Sequence, residues 1–191
     1  MRLNSPVKIL QSIFCFVLLT SSPLFASTET ATIIFTGNMP EVTVPGLGGY
    51  AELGTLLKQT RTQHQPTFFL FSGASLGPSS LSTLDRGSHI IDILNTLEPD
   101  AMAVSKREFS YFEDELSLRS YEAAFPLVSS NIYDPLTQGN LDGLVNSAII
   151  EKGQYRLGVL SIVDQSVIEE YAVKRLQILD PVEAQLAIKP N

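Results

Sequence analysis

Two adjacent cations, Lys106 and Arg107, follow a short apolar run, Ala101-Met102-Ala103-Val104, and so sit on a loop leaving a strand. A guanidinium pairs with phosphate through two parallel hydrogen bonds, and an ammonium adds positive potential. This dipeptide could therefore hold a phosphate or a nucleotide. A Gly/Ser-rich turn over residues 72–80, containing Ser75, is of the kind whose backbone N–H groups cradle anions. It lacks the Walker lysine pattern, and an ordinary turn explains it more simply. Asn131 could add a polar contact to a ligand, or could satisfy backbone groups at a strand end. The plainer alternative for Lys106 and Arg107 is solvation, or pairing with Glu108 or another acid. Glu108 reads as a local hydrogen-bond acceptor and Phe109 as core, while Glu113-Asp114-Glu115 read as a solvated helix face.

Other chemistry is thinly provided for. There are two histidines, His64 and His89, and one cysteine. Nothing in the sequence pairs either histidine with a nucleophile, so no Ser-His-Asp or Cys-His set can be assembled. No cofactor is implied.

The elements that must position these residues alternate. Residues 30–36 (T-A-T-I-I-F-T) form a β-branched run that reads as a strand, and residues 67–71 (T-F-F-L-F) as a buried one. Strands are also expected at 101–104 and 127–132. Between them, helical spacing predicts helices over 50–64, with Leu53, Leu56 and Leu57 inward, and over 88–97; a third is expected over 112–124, its acidic start suiting the helix dipole. The Pro- and Gly-rich stretch 37–49 reads as loop. This alternation argues an α/β fold with a largely parallel sheet. A hairpin is expected from 147–151 and 155–162 across Lys152-Gly153-Gln154. Asp180-Pro181-Val182-Glu183 is a helix start, with Asp180 as cap, Pro181 at the first position and Glu183 completing a capping box.

Read in order, the loops carry a family resemblance. Asp100-Ala101-Met102-Ala103-Val104-Ser105-Lys106-Arg107-Glu108-Phe109-Ser110 resembles the D-A-M-A-x-G-N-H-E-F-D segment of the 5′-nucleotidase family of metallophosphoesterases. Phe35-Thr36-Gly37-Asn38-Met39-Pro40 occupies the place of the family's T-N-D-x-H. Gly48-Gly49-Tyr50-Ala51-Glu52-Leu53 resembles its G-G-x-A-x-L, and Ser72-Gly73-Ala74-Ser75-Leu76-Gly77-Pro78 its G-D-x-x-x-G-S. Residues 125–134 (F-P-L-V-S-S-N-I-Y-D), 153–160 and 180–184 (D-P-V-E-A) match later motifs in the correct order.

The resemblance implies a layered α/β sandwich of the metallophosphoesterase type, of which this chain would supply the first half. It also implies a two-metal site, but the ligand positions are changed. Asn38, Pro40, Ala74, Lys106 and Arg107 stand where the family's metal-site Asp, His, bridging Asp, Asn and His are expected. A metal needs lone-pair donors, and neither an ammonium nor a guanidinium has one to give. The reading that follows is a pseudoenzyme that binds no metal and serves as a ligand-binding, protein-interaction or sensory module. A residual phosphoester or nucleotide hydrolase and a decayed fragment are the alternatives. A half sandwich would leave sheet faces such as residues 68–71 short of cover, so a protein partner or a second copy is expected.

The N-terminus reads as a leader. Arg2 and Lys8 precede an apolar run over 9–19 that contains Cys15, and residues 24–26 (L-F-A) provide a cleavage site. Residues 1–26 are thus a signal peptide, and 27–191 form one partial domain, periplasmic or secreted, outside the membrane and free of cysteine. With Arg2 and Lys8 removed, the 13 basic side chains fall to 11 against 20 acidic, a formal charge of −9. Such an acidic domain is a poor partner for nucleic acid or anionic membranes.

Overall fold

A computed structural model describes residues 30–188; the leader expected over 1–26 lies outside them. The first strand, β1, spans Thr32–Thr36, two residues shorter than expected. The loop after it holds two unforeseen two-residue strands, β2 (Thr43–Val44) and β3 (Gly48–Gly49), paired antiparallel. Helix α1 follows over Tyr50–Gln63, then β4 over Thr67–Phe71. Helices α2 (Ser82–Asp85) and α3 (Ser88–Leu97) lead to β5 (Ala101–Ala103). A 3-10 turn over Lys106–Phe109 precedes α4 (Phe112–Glu122) and β6 (Leu127–Val128).

These strands form one parallel sheet in the order β1-β4-β5-β6, with Ile34 beside Phe69, Leu70 beside Ala101 and Met102 beside Leu127. Because the order advances in one direction, right-handed crossovers put all the connecting helices on one face. Phe69, Phe71, Met102 and Leu127 pack there with Leu53, Leu57, Ile90, Ile91, Leu94 and Leu116. Leu56, expected inward, is 51% exposed.

The second face is partly covered by a hairpin of β8 (Ala148–Lys152) and β9 (Tyr155–Val159), in register Ala148 to Val159. Lys152 Nζ reaches Thr67 O at 2.8 Å and Asp100 Oδ2 at 2.7 Å, and lies 5.2 Å from the Phe68 ring centroid. Further along, Ser161 Oγ donates to Val104 O. The expectation that residues 68–71 lack cover therefore fails: Phe68, Phe69 and Phe71 are buried. The bare part of this face is β1, where Ile33 is 52% and Phe35 69% exposed.

Two further expectations are corrected. The run 127–132 is not one strand. Ser129 N still bonds Val145 O, part of a parallel bridge at the β6 edge, and the chain then leaves the sheet, Ser130 N bonding Ser161 O. Residues Ile132–Tyr133 form β7, antiparallel to β10 (Gln177–Ile178). The acidic start of α4 is solvated at Asp114 but not at Glu113 or Glu115. Glu113 is buried and accepts from Arg175 N, and Glu115 binds Arg86 and Arg119. A four-residue helix, α5, spans Val167–Glu170, and α6 spans Pro181–Ala187. Asp180 caps α6 as expected, accepting from Val182 N and Glu183 N.

Candidate functional site

Ligand sites of parallel α/β sheets lie beyond the carboxyl ends of the strands. The loops after β1, β4 and β5 meet there. Asn38 N donates to Gly73 O at 2.8 Å, and Met39 N to Ser75 Oγ at 2.9 Å. Gly73 has φ 75° and packs so closely that a Cβ would sit 2.3 Å from Ala103 O. Ala74 follows at φ 60°, again left-handed. The N–H groups of Ala74, Ser75 and Ser105 converge on a common point, as the backbone donors of an anion nest do.

That nest is filled from within. The Glu108 carboxylate, buried in the 3-10 turn, accepts from Ala74 N at 2.9 Å, Ser75 N at 2.8 Å, Ser105 N at 2.9 Å and Ser105 Oγ at 2.7 Å. Leu76 N adds a longer contact at 3.4 Å. Ser105 and Glu108 form a reciprocal capping box on the turn. Glu108 is thus the local acceptor its position suggests, and it joins the loops after β4 and β5. Ser75 is fully buried, with its N–H on Glu108 and its hydroxyl on Gly73 O. Asn131 is also fully buried. Its amide donates to Val163 O and Leu179 O and accepts from Val163 N, so it ties backbone segments together.

Lys106 and Arg107 line a cleft of about 450 Å³ together with Ala74, Asp164, Glu170 and Tyr171. Lys106 Nζ donates to Ser166 Oγ at 3.1 Å and lies 2.8 Å from Glu170 Oε2. The bond to Glu170 raises the Lys106 pKa, and the same bond lowers that of Glu170. Asp164 is lowered mainly by hydrogen bonds from Ser166. The Arg107 guanidinium has no hydrogen-bond or ion-pair partner among the described residues. Asn38 and Pro40 open instead into a second cleft, beside α1. The five changed positions are therefore neighbours through the Asn38–Gly73 bond but serve two depressions. Sequence reasoning missed Glu170, which lies 64 residues from Lys106 and carries no local signal.

A divalent ion does not fit this donor set. The cleft presents an ammonium and a guanidinium where imidazole, amide or carboxylate would be required, and a methyl at Ala74. Among the described residues no three His, Cys, Asp or Glu side chains converge to hold a metal. His89 is bound to Asp85, Nδ1 to Oδ2 at 2.8 Å, and His64 caps the end of α1 through its N–H to Thr60 O. Among the described residues no helix is long and apolar enough to cross a membrane.

Comparison with known proteins agrees with the fold. No protein-family model matches the chain. It is 24% identical over 148 residues to an apyrase of Tabanus yao, covering 78% of this chain and 27% of that protein. Among solved structures it is similar to a 5′-nucleotidase precursor from Thermus thermophilus, with a TM-score of 0.70 and 21% identity over 81% of this chain and 33% of that one. A calcineurin-like phosphoesterase, YfkN, from Bacillus subtilis gives a TM-score of 0.67 at 18% identity, over 80% of this chain and 55% of that one. The resemblance to 5′-nucleotidases and calcineurin-like phosphoesterases, and the α/β architecture it implies, are borne out. The chain spans about a quarter of the length of the curated relatives it matches.

Proposed function

We propose that this chain is an exported, catalytically inactive relative of the 5′-nucleotidase metallophosphatases that works as a ligand-binding or protein-interaction module. One observation carries the inactive part. Where the resemblance calls for metal ligands, the cleft holds the Lys106 ammonium, itself bonded to Ser166 and Glu170. A two-metal site stabilises the attacking and leaving oxygens with ions roughly 3.5–4 Å apart. The Lys106 ammonium, held by Ser166 and Glu170, and the Arg107 guanidinium supply charge but no metal-bound hydroxide. Hydrolysis of nucleoside mono-, di- and triphosphates by the purified full chain, with zinc, manganese or magnesium added, should equal the metal-only background. Turnover above it that Lys106→Ala or Arg107→Ala abolishes would overturn the reading.

If the ligand is an anion, Arg107 is the group that supports it, since Ser75 and Asn131 have their donors engaged and Lys106 is paired. Calorimetry with phosphate and nucleoside monophosphates tests this, and an affinity unchanged by Arg107→Ala refutes it. The interaction role draws support from β1. In a parallel pair alternate residues bond to the neighbouring strand, so the main-chain groups of Ile33 and Phe35 face the open edge, where they have no partner among the described residues, and their side chains are exposed. Export is tested by N-terminal sequencing of the mature protein, which should begin after Ala26.

A further inference from the structure

The groove beside α1 is a binding site of different character. We infer that it takes a small organic cation, an ammonium or guanidinium carried on an apolar body. The groove is about 640 Å³, within the range of small-molecule sites. It lies between the β1 loop, the β2–β3 pair and the first two turns of α1. Its walls are apolar, from Met39, Val44, Leu47, Leu53 and Leu56. Leu47 is 86% exposed, and Leu56 points away from the core that α1 otherwise serves. Exposed apolar side chains gathered around one concavity mark a binding surface more often than scattered ones do.

Charge selects the ligand. Glu41 and Glu52 both line the groove; among the described residues no Lys, Arg or His does, and neither carboxylate has an ion pair or side-chain hydrogen bond. The chain as a whole carries −7, which favours approach of cations. An apolar neutral ligand would strip water from the two carboxylates without replacing it. An anion would be repelled. A bare metal ion would find few side-chain oxygens, from Glu41, Glu52, Asn38 and Thr36, among apolar walls, where calcium takes six to eight oxygens. An apolar cation satisfies both features at once, its body on Leu47 and Leu56 and its charge between Glu41 and Glu52.

The test is an NMR amide-shift titration of the full chain with three probes of one shape: 4-phenylbutylammonium, 4-phenylbutanol and 4-phenylbutyrate. The ammonium should saturate, with its largest shifts between Asn38 and Leu56. The alcohol should bind about fivefold more weakly, the size expected for two exposed carboxylate contacts, and the carboxylate should not saturate. Glu41→Gln with Glu52→Gln should erase the difference between ammonium and alcohol without weakening the alcohol. Equal affinities in the unaltered protein, largest shifts outside residues 38–56, or no saturable binding would each overturn the inference. So would a Lys- and Leu-rich peptide that binds the same amides orders of magnitude more tightly, which would make the occupant a peptide.

Discussion

Replacing Glu108 by alanine should cost more stability than any other single change at the strand ends. The side chain is buried and accepts four hydrogen bonds of 2.9 Å or shorter, from Ala74 N, Ser75 N, Ser105 N and Ser105 Oγ. Hydrogen bonds to charged groups contribute about 1.5–3 kcal/mol each, and a buried donor left unmade costs about 1–3 kcal/mol. If water fills the space and meets half of the donors, the loss is about 4 kcal/mol. Domains of this kind are stable by about 5–15 kcal/mol, so the variant would be near the limit of folding. With a urea slope of about 2 kcal/mol/M, the unfolding midpoint falls by about 2 M. Glu108→Gln should lose about half as much. Its oxygen can replace Oε2, which serves Ala74 and Ser105, only by setting the NH₂ against the Ser75 N–H. Ser105→Ala should cost about 1 kcal/mol. A urea midpoint for Glu108→Ala within about 0.5 M of the parent would mean that Glu108 does not hold the two loops together.

Ala74 has φ 60°, a conformation that costs a residue with a Cβ roughly 1–2 kcal/mol; Ala74→Gly should raise the urea midpoint slightly, and a fall would show that the methyl packs usefully in the cleft. The stability profile against pH should drop at both ends. Burial raises the Glu115 pKa but hydrogen bonds from Arg86 and Arg119 outweigh it, leaving the folded value lowered, so its contribution is present above about pH 4.3 and is lost as pH falls through the folded value. Burial pushes the Tyr50 phenol up, so its contribution is present below about pH 10 and declines as pH rises beyond it; urea midpoints across the pH range check both signs. Phe35→Lys on the open edge of β1 should abolish any self-association seen by light scattering without lowering the midpoint, because Phe35 is 69% exposed.

Much of the scaffold was legible because its units are local. The first two strand–helix pairs announce themselves through an apolar run and helical spacing, whereas the order of the strands in the sheet depends on pairing between distant segments. The Asp180 cap was legible for the same reason. What failed depended on distant partners. The run 127–132 is apolar only at Leu127, Val128 and Ile132, and Ser161 and Val163 capture Ser130 and Asn131 and draw the chain off the sheet. Glu113 looks solvated until Arg175, 62 residues on, brings its N–H to it. At the site, the changed positions could be read in sequence only through the family resemblance. What fills their place could not: the Lys106 partners come from α5 and the residue before it, and the N–H nest closes on Glu108 instead of facing outward.

The central claim is that the cleft at Ala74, Lys106 and Arg107 is built around an internal ammonium in place of metal ions. Elemental analysis of the full chain, purified after exposure to zinc and manganese and then dialysed, tests it directly. The account predicts no stoichiometric metal. One or more tightly held ions per chain, lost on Asn38→Ala or Asp164→Ala, would contradict it.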